Sequence, residues 1–134
     1  LVLELLSGGH LQDRVASKGA YSPREACLVA RQLSSALVSL HQHGVVHLSV
    51  RPEHILLESF EDDTTVRLAG FGSARYNEEL HQLSSNQTFE SDEYRSPEML
   101  APFKPPQLGP LCDVYALGKV VLFLLCDRSV AGGL

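Results

Sequence analysis

A chain of 134 residues fits one domain with a modest core, and its 44% hydrophobic and 20% charged residues are ordinary for a globular protein. A formal net charge of -5 argues against a nucleic-acid or anionic-membrane role spread over the whole sequence. The longest apolar run, Val120 to Cys126, is far too short to cross a bilayer.

Taken in order, Leu1 to Leu6 reads as a strand, broken by Ser7-Gly8-Gly9. Leu11 to Ser17 has the length of a short helix before Lys18-Gly19-Ala20. Ser22-Pro23-Arg24-Glu25 is a strong helix start, with Ser at the N-cap, Pro in the first turn and Glu completing a capping box. Ala26, Ala30, Leu33, Leu37 and Leu40 follow as one apolar stripe, and Gly44 closes a helix of about twenty residues. Val45-Val46 then leads into a loop, His47-Leu48-Ser49-Val50-Arg51-Pro52-Glu53-His54, and Ile55-Leu56-Leu57 leads out. A proline, two histidines and several polar groups between apolar flanks are loop chemistry held by a buried frame.

Ile55-Leu56-Leu57 pairs with Val66-Arg67-Leu68 as a hairpin across the acidic connection Glu58 to Asp63, which reads as a solvated turn without calcium-loop spacing. Gly70-Phe71-Gly72 follows. Ser73 to Arg95 is polar and aperiodic, and is expected to be mobile, while Pro102, Pro105, Pro106 and Pro110 favour an extended loop. Asp113 to Cys126 forms the last helix, with hardly any polar face, so burial on most sides is expected. Without further helices over it, the isolated chain is expected to be marginal. Cys27, Cys112 and Cys126 are odd in number and set among apolar neighbours, and are expected as buried free thiols in a reducing compartment. No signal peptide opens the chain, so the expected location is cytoplasmic.

The loop at His47 and the Gly70-Phe71-Gly72 turn resemble two motifs of the protein kinase family, its catalytic loop His-Arg-Asp-Leu-x-x-x-Asn and its metal-binding Asp-Phe-Gly. Ser96-Pro97-Glu98 resembles that family's Ala-Pro-Glu. The His47-Leu48 opening is also similar to that of the giant muscle-associated kinases. The fold this implies is α+β and mainly helical: part of the kinase large lobe, with short β-hairpins around the catalytic loop. Residues 1–134 would run from the hinge strand to the central helix, with the small lobe and the last helices absent. No Gly-rich phosphate loop, strand Lys or paired helix Glu is found ahead of that strand.

The resemblance assigns roles residue by residue. Ser49 stands where the catalytic Asp is expected, His54 where the metal-binding Asn is expected, and Gly70 where the metal-binding Asp is expected. A neutral hydroxyl cannot orient the attacking group as a carboxylate does, glycine has no ligand to offer, and magnesium prefers hard oxygens to an imidazole. Loss of the acid/base group alone costs about 10²- to 10⁴-fold. Arg51 replaces a phosphate-reaching Lys and Glu53 matches a peptide-facing residue; both fit a solvated ion pair equally well. Leu3, Glu4 and Leu6 would line the adenine side of the hinge, with Leu3 at the gatekeeper and His10 in place of a ribose-binding carboxylate. Leu56 and Ala69 match adenine-facing apolar residues, although core packing accounts for them more readily. Leu48 stands where kinases switched by phosphorylation carry an Arg, so Ser84, Ser85, Thr88, Ser91 and Tyr94 would not work through that switch.

His41 and His43 lie at the exposed end of a helix, and His47 matches a packed histidine near Phe71. With no zinc-like cysteine spacing, they are not expected to hold a metal. Asp113 matches an Asp that accepts hydrogen bonds from the catalytic-loop backbone. The implied function is that of a pseudokinase, an interaction or allosteric module with weak or no phosphotransfer. ATP is left open as a ligand and magnesium disfavoured, and the partners would be other proteins, such as an active kinase or its substrates, not nucleic acid or membrane. The competing reading is an atypical ATP-dependent Ser/Thr kinase that orders nucleotide through Arg51 and His54.

Overall fold

The computed structural model describes residues 2–82, 93–100 and 108–126. Among the described residues there are four helices, α1 (Leu11–Lys18), α2 (Pro23–Gln42), α3 (Pro97–Leu100) and α4 (Pro110–Cys126), and four short strands, β1 (Val45–Val46), β2 (Ile55–Leu57), β3 (Val66–Leu68) and β4 (Arg75–Tyr76). Short 3₁₀ segments occupy Pro52–His54, Phe71–Ser73 and Asn77–Gln82. The architecture is mainly helical with two antiparallel ribbons, as expected for part of a kinase large lobe.

Helix α2 begins as its sequence dictates. Ser22 Oγ accepts from Glu25 N, and the Glu25 carboxylate accepts from Ser22 N in return, which closes the capping box. Hydrogen bonding to the Ser22 backbone N–H first, and to the Ser22 side chain second, holds the Glu25 carboxyl below its ordinary range. Ala26, Val29, Leu33 and Leu37 form the buried face. The chain leaves the helix through His43 and then Gly44, at φ 72°.

Helix α2 packs against α4 on one side and against β3 on the other. In the β2–β3 hairpin, Ile55 faces Leu68, Leu56 faces Arg67 and Leu57 faces Val66. Gln32 fastens this hairpin to α2, its side-chain amide donating to Thr64 O at 2.6 Å and accepting from Val66 N at 3.1 Å. At the hairpin's far end Arg14 pairs with Asp63 at 2.7 Å, while the Tyr21 hydroxyl donates to Asp63 O at 2.6 Å. Burial pushes the Tyr21 phenol up to about 12. The main core joins α1, α2, the hairpin and one side of α4. A smaller one gathers Val46, Leu48, Leu80, Met99 and Cys112.

The structure corrects several expectations. Residues 2–6 form no strand, and Val2 and Leu5 stand 96% and 93% exposed. A strand exists through its ladder, and no strand among the described residues pairs with this segment. Pairing begins only at Gly8, whose N donates to Leu57 O at 3.2 Å, followed by Leu57 N to Gly9 O at 2.9 Å. A Cβ at Gly8 would lie 2.6 Å from the Leu57 Cβ, so only glycine fits this approach.

Of the three cysteines only Cys112 is buried; Cys27 and Cys126 are exposed. Cys27 follows buried Ala26 in sequence, but a helix turns each residue by about 100°, which carries its thiol outward. Pro110 does not extend a loop but opens α4, where its missing N–H costs nothing. Helix α4 is also less enclosed than its composition suggests. Ala116, Val120, Phe123 and Leu124 are buried, whereas Leu111, Val114, Tyr115, Leu122 and Leu125 reach solvent. The polar stretch after Ser73 starts with order: β4 pairs with β1 as Val45–Tyr76 and Val46–Arg75, and Leu80 is buried in the smaller core. Ser84, Ser85, Thr88 and Ser91, with Pro102, Pro105 and Pro106, lie outside the described residues.

Candidate functional site

The loop between β1 and β2 is held from behind by one carboxylate. Asp113, 1% exposed on the first turns of α4, accepts from His47 N at 2.9 Å through Oδ2 and from Leu48 N at 2.8 Å through Oδ1. Leu48 has φ 63°, a left-handed conformation that a branched apolar residue adopts only under constraint. The two bonds from Asp113 and the burial of the Leu48 side chain in the smaller core supply that constraint. Both the position of Asp113 and its bonding to the loop backbone are as expected.

Asp113 Oδ2 also meets His41 Nε2 at 2.8 Å, a contact the sequence reading misses. His41 is not at an exposed helix end; its side chain is 18% exposed. The signal was present in the period, because His41 lies four residues beyond buried Leu37 and so stays on the inward stripe of α2. His43, by contrast, is exposed and bonds back to Ser39 O at 2.7 Å.

His47 is fully buried, and its ring meets that of Phe71 edge-on at 4.9 Å between centroids. Its Nδ1 accepts from Ser49 N at 3.1 Å, so Nε2 carries the proton and donates to Ala69 O at 2.7 Å. Burial holds this imidazole below its ordinary pKa, against the opposing pull of the Ala69 bond and of Asp113. The histidine thereby ties the loop to the strand that ends at Gly70. Among the described residues no group of acidic, histidine or cysteine side chains is arranged to hold a metal ion.

Ser49 and His54 come together. His54 Nδ1 donates to Ser49 O at 2.7 Å and lies 3.2 Å from Ser49 Oγ. Gly70, at φ 71°, sits against the same imidazole: a Cβ there would be 2.3 Å from His54 Cγ and 2.6 Å from Cδ2. The positions expected to carry the catalytic Asp, the metal-binding Asn and the metal-binding Asp are therefore one cluster. Arg51 donates to the Glu53 carboxylate, and its guanidinium lies 5.8 Å from the Tyr94 ring centre. Tyr94 is buried, and burial pushes its phenol pKa well up.

The other predicted site residues are scattered by comparison. Leu3 and Glu4 are exposed and Leu6 is half-buried, in the segment without regular structure. Leu56 is half-buried in the middle of β2, and Ala69 donates its N–H to His54 O at 2.7 Å. His10 caps α1, with Nδ1 accepting from Asp13 N at 3.4 Å and Nε2 facing the Asp13 carboxylate at 3.1 Å. Glu98 of the Ser96-Pro97-Glu98 segment accepts from the Cys112 thiol at 3.4 Å, which links α3 to the start of α4. Burial pushes that thiol up.

Comparison with known proteins identifies the family. The family model for the protein kinase domain matches residues 1–133. The calcium/calmodulin-dependent protein kinase cmkB of Emericella nidulans is 36% identical over 131 residues, which cover 96% of this chain and 31% of that protein. The human calcium/calmodulin-dependent protein kinase type IV is 35% identical over 126 residues, 94% of this chain and 26% of its own length. A probable myosin light chain kinase of Dictyostelium discoideum is 36% identical over 127 residues, 94% of this chain and 31% of that protein. The chain thus spans about a quarter to a third of the length of these relatives. With its helix-delivered loop, its paired ribbons and the Asp113 anchor behind them, the chain belongs to the protein kinase domain family.

Proposed function

We propose that this chain is part of a pseudokinase, a domain that keeps the kinase frame as an interaction or allosteric module and transfers phosphate weakly or not at all. The observation that carries the reading is the Ser49–His54–Gly70 cluster. Where phosphoryl transfer uses acidic and amide oxygens, the chain presents a hydroxyl, an imidazole already bonded to the Ser49 carbonyl, and a glycine. Magnesium takes near-octahedral oxygen coordination, and this donor set does not fit it. ATP is then, at most, a ligand bound without its usual metal clamp. Arg51 donates to the Glu53 carboxylate, and on this reading Glu53 would face protein partners. On this reading the class of partner is an active kinase, or the substrates of one, in the cytoplasm.

The test is a pair of measurements on the full-length parent protein. Radiolabelled ATP with generic peptide acceptors should give no phosphate incorporation, and any nucleotide binding should be equal with and without Mg²⁺. Phosphate transfer that disappears in Arg51→Ala or His54→Ala would overturn the reading in favour of an atypical Ser/Thr kinase.

A further inference from the structure

We infer that His54 and Gly70 are a single steric unit, in which the imidazole fills the volume that any side chain at position 70 would need. The metal site of the kinase frame is on this account closed by protein and not merely stripped of ligands. This deepens the pseudokinase reading and rests on it for its functional meaning.

The geometry is specific. A Cβ placed on Gly70 would lie 2.3 Å from His54 Cγ, 2.6 Å from Cδ2 and 2.7 Å from Cβ, all inside the closest approach of real carbon atoms. The obstructing atoms are the ring and its root, not the far end of a flexible chain. His54 cannot swing aside freely, because its Nδ1 is held by Ser49 O at 2.7 Å and its backbone O accepts from Ala69 N at 2.7 Å. The second bond also fixes the distance between the two backbones, since Ala69 is the residue next to Gly70. The 3₁₀ turn at Pro52–His54, with His54 N donating to Arg51 O at 2.9 Å, sets the direction of the histidine from its own side. Replacing Gly70 by Asp alone therefore places a carboxylate in occupied space and does not rebuild a cation site.

A double-mutant cycle on thermal unfolding tests this. Gly70→Ala carries an intrinsic penalty for a left-handed residue, but that penalty is the same in every background and cancels in the cycle. In the parent background Gly70→Ala should lower the Tm by at least about 5 °C. In the His54→Gly background, where all three obstructing atoms are gone, the same change should cost less than half as much. His54→Ala, which leaves the Cβ in place, should fall between the two. Equal losses in all three backgrounds would overturn the inference. A parent Gly70→Ala protein that fails to fold while the His54→Gly pair folds is the same result in stronger form. As a second readout, millimolar Mg²⁺ or Mn²⁺ should leave the Tm of Gly70→Asp unchanged, and a cation-dependent rise would also overturn the inference. An additive cycle would leave the missing carboxylates, and hence the pseudokinase reading, untouched. Phosphate transfer by the parent would remove that reading without touching the cycle.

Discussion

His47 carries two hydrogen bonds of opposite sense through one buried ring, accepting from Ser49 N and donating to Ala69 O. A second proton would have to go on Nδ1, where it would face the Ser49 N–H. Burial alone already holds the folded-state pKa below the ordinary 6.5, with Asp113 pulling the other way and His54 adding slightly to the depression. The sign follows from linkage. Below about 6.5 the unfolded chain takes up a proton that the folded chain resists, so stability is full above that value and declines as pH falls through it, levelling off only below the folded-state pKa. Urea midpoints measured from pH 7.5 down to pH 5 should fall for the parent and fall less for His47→Gln; parallel curves would remove the assignment. At this scale the sequence is a partial guide. The stacking of His47 near Phe71 and the role of Asp113 are readable through the kinase likeness. The Ser49–His54 bond is not, because two residues five apart across a turn meet only once the turn is built.

At the scale of elements, α2 was legible almost to the residue, since a capping box, a proline in the first turn and an apolar stripe all point the same way. The polar clamp on its outer side was not. Gln32 lies outside the apolar stripe of α2, yet it bridges to both Thr64 and Val66, 32 and 34 residues away. Gln32→Ala should cost about 1–3 kcal/mol, because it leaves a partly buried Val66 N–H and a Thr64 carbonyl without their partner. Ser22→Ala should cost about 1 kcal/mol, the usual worth of an exposed cap. Chemical denaturation of both variants checks the order. The rotational setting of α4 allows a sharper comparison. Leu124 is fully buried and Leu125 is 40% exposed, one residue apart on a helix whose composition does not distinguish them. Leu124→Ala should lose about 2–5 kcal/mol and Leu125→Ala within about 0.5 kcal/mol of nothing. Equal losses would mean that the helix is turned otherwise.

Over the whole molecule, the order of elements was readable and their closure was not. The sequence shows helix, loop, hairpin and helix, but nothing local says that β1 will pair with a strand thirty residues further on, or that residues 2–6 will find no ladder among the described residues. Those outcomes depend on partners, which periodicity cannot see. Asp113 shows how the closure is achieved. It stands on α4, which contributes Cys112 to the smaller core and Ala116, Val120, Phe123 and Leu124 to the main one. Its two oxygens collect the end of α2 through His41 and the loop that follows through His47 and Leu48, so α4 and a stretch 65 to 72 residues before it meet at one buried group. Asp113→Ala leaves two buried N–H donors unsatisfied and removes one of the two constraints that hold Leu48 at its left-handed φ, and should cost about 3–5 kcal/mol. Asp113→Asn keeps the size but puts an amide N–H₂ against one of those donors, so it recovers only part of the loss. Because the hairpin and α2 make their own core contacts without Asp113, the damage should be uneven. Amide hydrogen exchange should rise most at Val46, His47, Leu48 and Arg75, while Val66 and the middle of α2 keep the larger share of their protection. A uniform rise in exchange would show that the two cores open together and that Asp113 is one tie among many.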